Sequence, residues 1–319
     1  MEQARISVII INYKTPGLTL QAIRSLYKEL DVHQDCIVVV DNCSGDDSVN
    51  QIKAGIHQDN WPGEIRLIES DKNGGFSYGN NLGIAQIKAR AYLLLNSDAM
   101  VLPGAVINMW KALQHSPELG IIGPKVVDEN LSPQVSCFVN HTLANEFLQL
   151  AKTGILTRIL GFFGVKEVAL EPVSQQQQVD WVSFVCVLIR AEAYQDIGTM
   201  DDGYFMYKED NDYCRRAWKK GWKVLYYPDA SVIHLNQGWS AKQLSRKPDF
   251  YYQSRARYFY KYYGMPGYIL ANLLWLSGRM IYWLREQIEH KTPVTPDKAW
   301  LDIWTFKFGT RPVWPDDKA

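Results

Sequence analysis

Ser7-Val8-Ile9-Ile10-Ile11-Asn12-Tyr13, followed by Cys36-Ile37-Val38-Val39-Val40-Asp41-Asn42-Cys43-Ser44, decides how this chain folds. The apolar part of each stretch is a continuous run, not an alternation of apolar and polar residues. Such runs suit strands buried on both faces, as a parallel sheet requires. Between them Thr15-Pro16 opens a helix, with proline in the first turn and Leu20, Ile23 and Leu26 at helical spacing. Both runs end in polar residues, so each strand delivers hydrogen-bonding groups to one rim of the sheet.

The alternation continues outward. Asp46-Asp47-Ser48 starts a helix with acids where the macrodipole favours them. Ile65–Ile68 reads as a short strand, Gly79–Lys88 as a helix, Tyr92–Leu95 as a strand and Pro103–His115 as a helix. Repeated strand–helix units imply a doubly wound parallel sheet that binds ligands beyond the carboxyl ends of its strands. From about Val126 to Val179 the pattern weakens, and Gln175-Gln176-Gln177-Gln178 reads as an exposed loop. Regularity returns with a strand over Trp181–Ile189, a helix over Tyr204–Lys220 behind an acidic turn, and short strands at Val224–Tyr227 and Ser231–Ile233.

Among the 319 residues, 34 Lys+Arg balance 34 Asp+Glu, which argues against a nucleic-acid binder with its basic excess. Cys36, Cys43, Cys137, Cys186 and Cys214 form no CxxC pair and are expected as free thiols of a reducing cytoplasm. Met1-Glu2-Gln3-Ala4-Arg5 enters a strand at once, without a signal-peptide pattern, so a cytoplasmic location is expected. Tyr268–Ile288 is strongly apolar, with Asn272, Arg279 and Glu286 at heptad spacing as one narrow polar stripe on a helix. Arg279 near its middle argues against a membrane-spanning helix. Two readings remain: a helix packed on the preceding domain, or one lying on a membrane surface, the inner face of the cytoplasmic membrane. Lys291–Ala319, with Trp300, Trp304 and Trp314, reads as a docked or partner-binding tail.

Several polar segments carry chemistry. Asp41 and Asn42 can bind a nucleobase or ribose, or form an Asx turn. Tyr13 can lie beside the base or pack in the core. Asn73-Gly74-Gly75-Phe76, with Asn80-Asn81, permits close backbone approach to a ligand, or is an ordinary glycine turn. It has neither the GxGxxG spacing nor a P-loop pattern. Asp98, in Asn96-Ser97-Asp98, can hold Mg²⁺ or Mn²⁺ against the charge of a leaving diphosphate, or cap a helix. Glu209-Asp210 offers a base for a sugar hydroxyl, or acids at a helix N-terminus. His234 is a candidate divalent-metal ligand or a core histidine. A sugar-nucleotide binder without catalysis is the competing class. A dinucleotide oxidoreductase needs a glycine fingerprint that Asn12–Gly17 does not supply, and a nucleotidyltransferase needs a basic glycine-rich loop that the N-terminus lacks.

Taken in order, these residues resemble the family-2 inverting glycosyltransferases of GT-A fold, and most of all their rhamnosyltransferase-like branch. Ser7–Tyr13, Val40–Ser44 and Asn73–Phe76 with Asn80-Asn81-Leu82-Gly83 look like the nucleotide-binding segments, and Leu95-Asn96-Ser97-Asp98 like the DXD-equivalent. Asp180-Trp181-Val182-Ser183 is similar to the acceptor-side strand. Phe205–Asp212, Gly221-Trp222-Lys223-Val224 and His234 are similar to the catalytic stretch. The likeness runs from about Ile6 to Gly264. It implies a Rossmann-like, mostly parallel central sheet flanked by helices, with an aromatic-rich helical C-terminal extension. Residues 1–264 would form the transferase domain, with a nucleotide half to about 125 and a catalytic half from 126, and residues 265–319 the extension.

The resemblance also implies roles. Asp210 is the general base, supported by Glu209. Tyr13, Asp41, Asn42, Asn73, Gly74, Gly75, Asn80 and Ser97 bind the nucleotide. Asp98 and His234 hold Mg²⁺ or Mn²⁺, and Asp180 and Trp181 line the acceptor side. The donor is a nucleoside-diphosphate sugar, dTDP-rhamnose first and UDP-sugars next. The acceptor is a glycan or lipid-linked hydroxyl in bacterial surface polysaccharide synthesis. Two residues depart from the pattern: Asn96 stands in place of the first acid, and Phe184 stands where the branch often has glycine.

Overall fold

The computed structural model describes residues 3–151, 154–235, 247–288 and 299–308. The chain begins β1 (Ala4–Asn12), α1 (Pro16–Leu26), β2 (Cys36–Asp41), α2 (Ser48–Asp59), β3 (Glu64–Glu69), α3 (Gly75–Ile84), β4 (Ala89–Asn96), β5 (Ala99–Val101), α4 (Ala105–His115) and β6 (Leu119–Val127). Next come β7 (Pro133–Gln134), β8 (Cys137–Phe138), α5 (Leu143–Ala151), α6 (Gly154–Phe162), β9 (Gln177–Gln178), β10 (Trp181–Val182), β11 (Cys186–Arg190) and α7 (Ala191–Ile197). The remaining elements are α8 (Glu209–Lys219), β12 (Lys223–His234), α9 (Asp249–Ile288) and α10 (Ala299–Asp302).

The main sheet has the order β3-β2-β1-β4-β11-β6-β12-β5. Its first half is parallel, with Ile11 opposite both Val40 and Asn96 and Asn12 opposite Asp41. The second half is mixed: β11 runs antiparallel to β4 and β6, while β6 and β12 pair in parallel. The longest ladders are therefore parallel, in keeping with the continuous apolar runs. Val8, Ile9, Ile10 and Val38–Val40 are fully buried, because helices cover both faces.

Several local expectations are corrected. The helix expected at Gly79–Lys88 occupies Gly75–Ile84, because Gly75 (φ 82°) turns the chain directly into it. The two short strands at Val224–Tyr227 and Ser231–Ile233 are one strand, β12, with a register shift between Tyr227 and Ser231 around Pro228, which has no N–H to give the ladder. Gln177 and Gln178 pair with Tyr226 and Leu225 instead of forming only a loop. Trp181–Ile189 is split into β10 and β11. The helix expected from Tyr204 begins at Glu209, because Tyr207 and Lys208 hold left-handed φ values of 73° and 70°. All five cysteines are free.

The chain divides into two compact units. The first comprises residues 1–138, 171–202 and 210–243; the second comprises 139–170, 203–209 and 244–319. The first holds the sheet and its core, including Ile6, Ile23, Leu93, Met109, Ile122 and Val232. The second is built on α9, which bends at Gly264 (φ 67°, ψ −172°) just before Pro266. Tyr204, Tyr258, Phe259 and Tyr268 form its aromatic core. Its α5 lies so close to α9 that a side chain at Gly278 would meet the Phe147 carbonyl oxygen at 2.8 Å. Among the described residues, no helix is long and apolar enough to cross a membrane.

Candidate active site

The carboxyl ends of β1, β2 and β4 form the expected rim. Asn12 Nδ2 donates to Asp41 Oδ1 at 2.7 Å and to Ser44 Oγ at 3.1 Å, while its Oδ1 accepts from Thr19 Oγ1 at 2.8 Å. Asp41 also accepts from the Ser44 backbone N–H at 2.9 Å and from Ser44 Oγ at 2.6 Å. Lys14 and Cys43, just past the ends of β1 and β2, take left-handed φ values of 56° and 59°. The buried Asn12–Asp41–Ser44 network spans the same two strand ends. Each of its polar groups satisfies another, which fixes the shape of both loops.

A second clamp joins the neighbouring loop. Asn42 Nδ2 donates to Asn73 Oδ1 at 3.0 Å and to the Gly75 carbonyl at 3.1 Å. Gly74 N donates to Asn42 Oδ1 at 3.4 Å, and Gly75 N to Asn73 Oδ1 at 3.1 Å. Asp41, Asn42, Asn73, Gly74 and Gly75 are thereby brought together at the rim. Ser97 Oγ lies 3.3 Å from Thr15 Oγ1, at the mouth of α1. Tyr13 is half-buried, with Lys14 Nζ 5.3 Å from its ring centre. Asn80 is buried in α3 and donates to the Phe76 carbonyl of its own helix at 3.0 Å. Asn81 clamps the Met200 backbone, donating to its carbonyl at 2.8 Å and accepting from its N–H at 2.9 Å.

Asp98 and His234 meet on the same unit. β5 pairs antiparallel with the end of β12, placing His234 opposite Ala99, and Leu235 N donates to the Asp98 carbonyl at 2.9 Å. His234 Nε2 consequently lies 3.4 Å from Asp98 Oδ1. The strand at Ala99-Met100-Val101 that creates this meeting was missed in the sequence, although its apolar triplet is a weak strand signal. A carboxylate oxygen and an imidazole nitrogen at this separation suit one divalent cation. Among the described residues no third His, Cys, Asp or Glu joins them as a ready cluster.

α8 carries the acidic pair at its first turn: Glu209 is buried and Asp210 half-buried. Two successive left-handed residues immediately before the helix set the direction in which it starts, a costly backbone geometry of the kind that clusters at functional sites. α8 is anchored to the Asp180–Trp181 segment, since Trp218 Nε1 donates to the carbonyls of Val179 and Asp180, both at 3.1 Å. Trp181 stacks on Phe138 with ring centres 3.9 Å apart and planes 10° apart. Phe184 is buried, edge-on to Tyr213 of α8 at 6.1 Å, so its ring wedges the helix in place.

Sequence reasoning missed a buried group in the second unit. His141 Nε2 lies 2.7 Å from Lys208 Nζ, and His141 Nδ1 lies 4.0 Å from Glu146 Oε2. Burial, reinforced by the Lys208 and Arg255 cations, holds the His141 imidazole well below its ordinary pKa. His141 falls in the stretch without periodicity, where no spacing points to it.

Residues 4–260 match the family described as Glycosyltransferase like family 2, and the chain belongs to that family. It is 29% identical over 189 residues to an N-acetylglucosaminyl-diphospho-decaprenol L-rhamnosyltransferase of Mycobacterium tuberculosis, covering 53% of this chain and 58% of the relative. The chain thus spans somewhat over half the length of that relative. It is 25% identical over 301 residues to the low-salt glycan biosynthesis hexosyltransferase Agl10 of Haloferax volcanii, covering 90% and 88%. Among solved structures it resembles GalNAc-T7 with UDP, GalNAc and Mn²⁺, at a TM-score of 0.60 and 13% identity, over 94% of this chain and 53% of that one. The fold is the expected GT-A arrangement, a mixed and mostly parallel sheet.

Proposed function

We propose that this member of glycosyltransferase-like family 2 moves a sugar from a nucleoside-diphosphate donor to an acceptor hydroxyl with inversion at the anomeric carbon. The observation that carries this reading is the Asp98–His234 pair, 3.4 Å apart beside strand ends that also hold Asp41, Asn42 and Asn73. The Asn42–Asn73 clamp holds the Gly74–Gly75 loop in shape beside the nucleotide, with Tyr13, Asn80 and Ser97 assigned to its surroundings. Asp98 and His234 would hold Mg²⁺ or Mn²⁺, which when bound offsets the charge of the departing diphosphate. Asn96 in place of a second acid leaves one carboxylate at this position.

Asp210 is the general base. As the acceptor oxygen attacks the anomeric carbon, its proton passes to the Asp210 carboxylate, and the bond to the diphosphate oxygen breaks on the opposite face. Glu209, the next residue at the start of α8 and itself buried, would support Asp210 in this role. Asp180 and Trp181, fixed against α8, line the acceptor side. The donor best supported by the relatives is a rhamnosyl nucleotide such as dTDP-rhamnose, with UDP-sugars as the second reading. The acceptor is a growing, lipid-linked glycan.

The test is to incubate the protein with dTDP-rhamnose or UDP-sugars, a lipid-diphosphate-linked N-acetylglucosamine acceptor and Mn²⁺. Product is followed by mass spectrometry and its anomeric configuration by NMR. An inverted glycoside from one donor, absent with Asp210→Asn, is expected. Retained configuration, or equal turnover by Asp210→Asn, would overturn the assignment.

A further inference from the structure

Tyr207 and Lys208, the two left-handed residues that lead into α8, are not glycines. Their side chains crowd the backbone in that conformation, which persists only where the surroundings hold it. Those surroundings are side chains of the second unit. Ser254 Oγ donates to the Met206 carbonyl at 2.9 Å. The Tyr207 ring stacks on Phe250, with centres 6.0 Å and planes 15° apart, and meets Tyr251 edge-on at 5.5 Å. Lys208 Nζ reaches His141 Nε2 at 2.7 Å and lies 5.9 Å from the centre of the Tyr258 ring. An ammonium has only protons to give, so Nε2 accepts and the imidazole is neutral. Its own proton then sits on Nδ1, which faces Glu146 Oε2 at 4.0 Å. Burial and the Lys208 and Arg255 cations favour the same neutral form. The acceptor is also fixed in place. Tyr258 Oη and Tyr263 Oη donate to the His141 carbonyl at 3.4 and 3.0 Å. Asn145 binds the backbone on either side, its Nδ2 donating to the Asn140 carbonyl at 2.8 Å and its Oδ1 accepting from the Thr142 N–H at 2.7 Å. Glu146 Oε1 accepts from Arg255 Nε at 2.6 Å.

We infer that His141 is a positioning residue for sugar transfer: with Asp210 as general base, an assignment on which this rests, the neutral imidazole holds the Lys208 ammonium and so sets the direction in which α8 presents Asp210. Lys208 links the two because its side chain is tied to a buried, immobile acceptor while its backbone forms the last step before the helix. Asp210 follows two residues later. Without an acceptor at Nε2 the half-buried ammonium turns to water. The left-handed pair then relaxes towards the commoner right-handed conformation, and the start of α8 moves with it. A displacement of about 1 Å at a reacting group costs up to about 10²-fold in rate. His141 itself touches neither donor nor acceptor in this account, so its loss lowers kcat and leaves donor binding unchanged.

The experiment is steady-state kinetics of sugar transfer by the full chain. Wild type is compared with His141→Phe, His141→Gln, Lys208→Met, the His141→Phe/Lys208→Met double variant and Asp210→Asn. His141→Phe removes the acceptor and is expected to lower kcat by roughly tenfold to 10²-fold at an unchanged donor KM. His141→Gln, whose amide oxygen can accept from Lys208, is expected to recover most of that loss. Lys208→Met should lower kcat as His141→Phe does. The double variant should be no slower than either single one, because both remove the same contact. Circular dichroism establishes that each variant is folded, and Lys208→Met carries the test by itself where His141→Phe does not fold. With Asp210→Asn inactive, a folded His141→Phe or Lys208→Met at wild-type kcat overturns this inference and leaves the transferase reading standing. Losses that multiply in the double variant overturn it too, since they assign the two residues independent structural roles. Asp210→Asn as active as wild type overturns the base assignment, and the positioning role falls with it.

Discussion

Asp98 and His234, far apart in sequence, stand 3.4 Å apart because β5 and the last residues of β12 run antiparallel and end together. The backbone pairing of His234 with Ala99 brings the two side chains within reach of each other. Asp98→Asn and His234→Ala should each weaken Mn²⁺ by roughly tenfold or more, as loss of metal-site interactions does. Titrating transfer activity with Mn²⁺ measures this directly. Variants with an unchanged Mn²⁺ midpoint would take the metal away from this pair.

Asp210 should affect chemistry and not binding. Asp210→Asn is expected to lower kcat on the order of 10²–10⁴-fold while leaving nucleotide affinity intact. Parallel steady-state kinetics and calorimetric titration of the nucleoside diphosphate separate the two effects. A matching loss of affinity would assign Asp210 to donor binding.

Asn12 ties Asp41, Ser44 and Thr19 into one buried network at the rim. Asn12→Ala leaves buried polar groups without their partner and should cost about 1–3 kcal/mol of stability. Urea unfolding reads this as a lower midpoint with an unchanged slope. A cost near zero would mean that water replaces the amide at no loss.

His141 makes stability depend on pH. Its folded-state pKa lies below the ordinary imidazole value of 6.5, so the unfolded chain binds more protons in the acid range. Stability from this group is complete above that value and falls as pH drops through it, by up to about 1.4 kcal/mol per pH unit. His141→Gln should lose this component, so urea midpoints at about pH 7.5 and about pH 5.5 should differ less than in wild type. An equal pH dependence in both proteins would place the titration elsewhere.

The parallel half of the sheet was legible because continuous runs such as Ile9–Ile11 and Val38–Val40 have no other economical burial. The polar strand ends Asn12, Asp41 and Asn96 followed from the same reading, since parallel strands with neighbouring registers end on one rim. What periodicity does not carry was lost. β5 is three residues long and is defined by its partner, not by its own pattern. The split between β10 and β11 and the late start of α8 depend on single backbone dihedrals and on hydrogen bonds between residues distant in sequence, such as Ser183 N to the Ser136 carbonyl at 2.9 Å. The heptad of Asn272, Arg279 and Glu286 was visible as a stripe, but the direction it faces is decided by Arg255, Ile303 and the close approach of α5. Of the tail, residues 299–308 lie against α9, where Asn272 Nδ2 and Tyr268 Oη donate to the Ile303 carbonyl, while residues 289–298 and 309–319, Trp314 among them, lie outside the described residues.

The most direct measurement is a thermal shift with nucleoside diphosphates and sugar nucleotides, with and without Mn²⁺, on wild type and Asp98→Asn. A ligand that binds only the folded chain raises the melting temperature by mass action. Stabilisation of wild type by dTDP or UDP compounds that requires Mn²⁺, and that Asp98→Asn abolishes, is the expected result. No stabilisation by any nucleotide, with or without the metal, would contradict the assignment of this rim as a donor site.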